Sequence, residues 1–152
     1  TLWRKIYNTQ DTFDPERDFD RLFADGDSFT IGDLTVQVIL SSGHTLGSIT
    51  YVCGDAAFVH DTLMMPDAGT SRADFPGGDA EDLWNSIQTI LALPSDTRIF
   101  VGHDYGTATR EEPAWEATVA WTLRTSATSS FSIIATFIPV IATKKTHAEV
   151  IL

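Results

Sequence analysis

The apolar residues of this chain follow two different periods. Leu34, Val36, Val38 and Leu40 alternate with Thr35, Gln37 and Ile39, the repeat of a strand rich in β-branched side chains. Ser28 to Ile31 precedes it across Gly32-Asp33, so the two runs predict a β-hairpin. Ile49 to Cys53 and Ala56 to Val59, joined by Gly54-Asp55, read as the next strand pair, and Arg98 to Val101 as another short strand. In between, Leu83, Trp84, Ile87, Ile90 and Leu91 recur at helical spacing. Asp79 is a good N-cap for that helix, Glu81 and Asp82 face its positive dipole end, and Pro94 stops it. Trp84 reads as core in this pattern. Phe19, Leu22 and Phe23 predict one short helical turn after a polar turn region from Asp11 to Asp18. Pro113 suits the first turn of a second helix running to about Leu123.

Periodicity lapses from Val59 to Gly78. A loop of this length inside a compact domain is usually functional or disordered. Asp61 opens it just past a strand end, His44 sits in the loop from Ser41 to Gly47, and His103 follows the strand ending at Val101. Side chains just beyond strand ends can meet at one edge of a sheet while the strands hold them rigid. Imidazole and carboxylate are standard ligands of zinc, iron and manganese, so His44, Asp61 and His103 are expected to converge on a metal. Singly, each has an ordinary reading: a loop histidine, a turn or cap carboxylate, a surface histidine. Gly43, Gly47 and Gly102 flank the histidines and permit close backbone approach. Arg72 with Asp74 reads on chemistry alone as an exposed ion pair; the alternative is a planar fork gripping a substrate carboxylate. His60 reads as a strand-end packing residue and Cys53 as a buried small hydrophobe.

Composition narrows the classes. At 152 residues, 43% hydrophobic and 20% charged, the chain suits one globular domain. A net charge of −11 argues against nucleic acid and against an anionic membrane as partners. The single cysteine allows no internal disulfide and fits a reducing, cytoplasmic compartment. The longest apolar run, Ile133 to Ala142, is broken by Thr136 and Pro139 and falls short of the roughly 20 residues of a membrane helix.

Gly43-His44-Thr45-Leu46-Gly47-Ser48, His60-Asp61-Thr62-Leu63 and Gly102-His103-Asp104-Tyr105 resemble three segments of the metallo-β-lactamase-fold superfamily. The run from Asp67 to Gly78 is similar to the branch holding persulfide dioxygenases and hydroxyacylglutathione hydrolases, and suits it better than a true β-lactamase. The resemblance implies an α+β fold, the second half of an αββα sandwich, over residues 1–119. It implies that His44 binds a first metal, that Asp61 bridges two metals or completes a single iron site, and that His103 binds a second. Arg72 and Tyr105 match positions that contact the glutathione part of a substrate. The implied cofactor is zinc or iron. The implied substrate is a small thiol or thioester, glutathione-linked, either hydrolysed or, at iron, oxidised as a persulfide.

Two departures qualify this. No histidine precedes His44, so the family's His-x-His-x-Asp-His segment is absent and is expected upstream of Thr1. The chain as given is therefore expected to turn over weakly or not at all. Ala120 to Arg124 and the Ser/Thr-rich stretch from Thr125 do not match the family, so residues 120–152 are expected to be a divergent tail, poorly ordered or the product of a frameshift. The rival reading is a non-catalytic acidic fragment or interaction module.

Overall fold

The computed structural model describes residues 14–128. The expectations for the Ser/Thr-rich stretch past Thr128 and for the apolar run from Ile133 lie outside the described residues. A short helix α1 (Pro15–Asp18) leads into strands β1 (Ser28–Ile31), β2 (Leu34–Leu40), β3 (Ile49–Cys53) and β4 (Ala56–His60). Helix α2 (Ala80–Leu91), strands β5 (Arg98–Val101) and β6 (Glu116–Thr118) and helix α3 (Val119–Thr128) follow. The six strands form one sheet in chain order, antiparallel throughout except that β4 and β5 run parallel. A parallel pair needs a crossover, and α2 lies in that connection. The architecture is α+β: a partial αββα sandwich built on a single mixed sheet.

Core formation follows from the two periods. On one sheet face Ala57, Val59 and Ile99 meet Leu83, Ile87 and Ile90 of α2, and Val119 at the start of α3 joins them. Asp79 caps α2 by accepting from the backbone N–H groups of Glu81 and Asp82. The opposite face carries Phe29, Val36, Val38, Tyr51, Phe58 and Phe100, placed side by side by the strand register. Val36 and Val38 are buried there, whereas Ile31, Leu34, Leu40 and Phe58 remain exposed. No helix among the described residues is long and apolar enough to cross a membrane.

Several local expectations need correction. The helical turn near the start lies at Pro15–Asp18, and Phe19 and Leu22 beyond it are exposed. Helix does not begin at Pro113. Residues 116–118 pair instead with β5 as an edge strand that buries Ala117. The helix starts at Val119, where the Thr118 hydroxyl accepts from the Trp121 N–H at 3.1 Å, a capping contact. Trp84 is 39% exposed rather than core, and Cys53 is half-buried.

Candidate metal centre

The site is assembled from three strand ends. Between β4 and β5 the register shifts after Phe58, and His60 takes φ +51°, a left-handed conformation that few side chains adopt and histidine tolerates better than most. Such an irregularity re-aims the residue that follows it. Asp61 is thereby turned inward, with only 12% of its side chain exposed. The Gly102 N–H donates to the His60 carbonyl at 3.0 Å and locks the two strand ends together. His44 reaches the same place from a loop held by buried polar contacts. The Ser86 hydroxyl donates to the Ser42 carbonyl, the Thr62 hydroxyl to the Ser41 carbonyl, and the Asp79 N–H to the Gly43 carbonyl. A side chain at Gly43 has no room, because a Cβ there would stand 2.1 Å from the Leu83 backbone nitrogen.

The three candidate ligands do come together. Asp61 Oδ1 lies 2.5 Å from His103 Nδ1. Its Oδ2 lies 3.7 Å from His44 Nε2 and 3.8 Å from His60 Nδ1. His44 Nδ1 is 2.7 Å from the Arg72 carbonyl oxygen. A carbonyl only accepts, so Nδ1–H is the donor and Nε2 is left facing the Asp61 carboxylate. This carbonyl-to-imidazole contact is the outer-shell arrangement that orients metal-ligating histidines.

The donor set fits a metal in part. Two ligands that each sit about 2 Å from one ion are roughly 3–4 Å apart, which the His44 Nε2 to Asp61 Oδ2 separation satisfies. The His103 contact is too short for that; it is a hydrogen bond in which Nδ1–H donates to an Asp61 carboxylate oxygen. Among the described residues, no group of three or more His, Cys, Asp or Glu side chains already encloses one point as a ligand cage.

Around these groups a cavity of about 450 Å³ is lined by His44, Asp61, Met64, Ser71, Arg72, Phe75 and Tyr105, among others. Arg72 holds Asp74 through two contacts of 2.5 and 2.6 Å, which keeps the Asp74 carboxyl below its ordinary range. The pair is exposed, and the Arg72 guanidinium lies 4.9 Å over the Phe75 ring, which meets His44 edge-on. Tyr105 is 83% exposed and stacks on His103 with centroids 6.0 Å apart. His60 and Phe75 at this site were missed as site residues in the sequence. No periodicity or spacing in the sequence marks His60, because its part in the site is a backbone angle, φ +51°.

Residues 3–103 match the family model described as the metallo-beta-lactamase superfamily. The chain is 59% identical over 118 residues to the Beta-lactamase hydrolase-like protein of Xylella fastidiosa, covering 78% of this chain and 27% of that protein. It is 43% identical over 88 residues to the Hydroxyacylglutathione hydrolase of Rhizobium etli, covering 57% of this chain and 33% of that protein. Among solved structures, ETHE1 from Myxococcus xanthus superposes with a TM-score of 0.69 at 28% identity, over 83% of this chain and 53% of that one. The chain thus spans about a quarter to a third of the length of these curated relatives.

Proposed function

Because this chain belongs to the metallo-beta-lactamase superfamily and is related to hydroxyacylglutathione hydrolase and ETHE1, we propose that the pocket around Asp61 is part of the metal centre of a hydrolase acting on a glutathione-linked thioester. The observation that carries this reading is the orientation of His44, whose protonated Nδ1 is fixed on the Arg72 carbonyl while Nε2 faces the largely buried Asp61 carboxylate. His44, Asp61 and His103 would hold a divalent zinc or iron, both compatible with imidazole and carboxylate. A bound ion supplies Lewis acidity and an activated water for attack on a thioester carbonyl.

The chain's own side chains do the rest. Arg72 offers a planar fork for a substrate carboxylate, exchanging its exposed contact with Asp74. Tyr105 presents a ring face at the cavity mouth, and Met64 and Phe75 line the wall. The test is metal analysis of the purified chain together with hydrolysis of an S-acylglutathione. Weak metal binding with turnover far below that of a full-length relative is expected. Metal-free protein after incubation with millimolar zinc or iron would sink the proposal.

A second reading has its own support. The hydrogen bond from His103 to Asp61 engages both groups with each other, and the exposed apolar residues on the sheet suit a non-catalytic acidic interaction module. That reading predicts neither metal nor turnover.

A further inference from the structure

Outside the ligand cluster, the most fully satisfied charged group in the site region is Arg110. Its Nε and Nη2 contact the two Asp67 oxygens at 2.9 and 3.0 Å. Its Nη1 and Nη2 contact the two Asp104 oxygens at 2.5 and 2.9 Å, and Nη1 also donates to the Glu112 carbonyl at 2.8 Å. Those contacts use all of the N–H groups a guanidinium possesses. The Asp104 side chain is only 5% exposed and further accepts the backbone N–H groups of Ala114 and Gly106.

Two chain segments meet here: Asp67 belongs to the loop after β4, whereas Asp104, immediately between His103 and Tyr105, and Arg110 both belong to the connection from β5 to β6. Those two segments form facing walls of a second cavity of about 390 Å³, lined by Met64, Ala68 and Thr70 on one side and by His103, Tyr105 and Thr107 on the other. The cavity shares Met64, Thr70 and Tyr105 with the one that holds Asp61. His103 is held by its hydrogen bond to Asp61 and by an edge-on contact with the His60 ring, and Tyr105 stacks on His103.

We infer that Arg110 is a positioning residue, whose double fork onto Asp67 and Asp104 fixes the backbone on both sides of the cleft and so sets the ring orientation of His103 and Tyr105. The ionic partners fit this role. Each carboxylate is met by two N–H groups of the guanidinium. A lysine has one point charge and cannot reproduce two bidentate contacts. The consequence for metal affinity rests on the proposed role of His103; the consequence for the ring stack does not.

The test uses the full 152-residue chain with labelled tyrosine, the Tyr105 signal being assigned from Tyr105→Phe. In metal-free wild type the Tyr105 ring protons are expected upfield, shifted by the stacked imidazole. Arg110→Lys is expected to move them most of the way to free-tyrosine positions. Arg98→Lys is the control, because Arg98 makes the same fork onto the exposed Asp55 far from the cleft, and it should leave them in place. Should Arg110→Lys fail to fold, Asp67→Asn removes one anchor and should give part of the same shift. With zinc added, Arg110→Lys should bind about tenfold more weakly than wild type. An unmoved Tyr105 signal in folded Arg110→Lys, or in Asp67→Asn, overturns the inference. A stack that depends on Arg110 in a chain that binds no zinc supports it while refuting the metal reading.

Discussion

His44 Nδ1 lies 2.7 Å from the carbonyl oxygen of Arg72, so the loop that carries the arginine also fixes the imidazole. The two roles are separable, because the contact uses the Arg72 backbone and not its side chain. Arg72→Ala should therefore leave zinc affinity within about threefold, while an S-acylglutathione carboxylate loses an exposed charged partner and binds about fivefold more weakly. Calorimetry with each ligand separately checks both. A matching collapse of zinc affinity would show that the side chain, not the carbonyl, organises His44.

Gly43→Ala should cripple folding. The residue has φ +130°, and its Cβ would meet the Leu83 backbone at 2.1–2.3 Å. Strain and overpacking together cost about 2–5 kcal/mol. Urea unfolding followed by circular dichroism measures it. A loss under 1 kcal/mol would mean that the loop can back away from α2.

Gly102→Ala should spare the fold and damage the site. The new Cβ stands 3.0 Å from Asp61 Oδ1 and 3.1 Å from the His60 carbonyl carbon, so the carboxylate must shift. The expectation is about 1 kcal/mol of stability and about tenfold in metal affinity. Gly47→Ala, with nothing within 4 Å of its Cβ, should change neither. Equal effects at the two positions would contradict this.

Acid should weaken the contacts that span the cleft. Arg110 depresses the Asp67 and Asp104 carboxyls below their ordinary value. In the unfolded chain they titrate near about 4. The folded state therefore binds fewer protons there, and their contribution is complete above about pH 4 and lost as pH falls through the depressed values. Wild type should show a lower urea midpoint at pH 3 than at pH 7, with Asp104→Asn less stable at pH 7 but falling less between the two. A steeper fall in Asp104→Asn would reverse the sign of the argument.

What the sequence made legible was what is local. The alternation in β2 and the Asp79 cap of α2 act within a few residues, and the structure has both at the expected places. That His44 and His103 would each end beside Asp61 was also legible, since each follows or neighbours a strand end and the strands lie in one sheet. The β6 strand was not, because Ala117 is buried only through pairing with β5, and Pro113 is the stronger local helix signal than Thr118. Trp84 fell on the helical period yet stands at its margin. His60 was hidden because its role lies in a backbone angle. Arg110 was hidden because Asp67 reaches it only when the loop after β4 folds against the β5–β6 connection that carries both Arg110 and Asp104. Among the glycines expected to allow close approach, Gly43 and Gly102 do so and Gly47 does not.

If His44, Asp61 and His103 serve one divalent ion, titration of the full chain with cobalt(II), read in the visible spectrum, should give a saturable ligand-field band in wild type. Its affinity should fall by about tenfold or more in each of His44→Ala, Asp61→Asn and His103→Ala, with Arg98→Lys unchanged. A band of undiminished affinity in all three variants, or none in wild type, would contradict it.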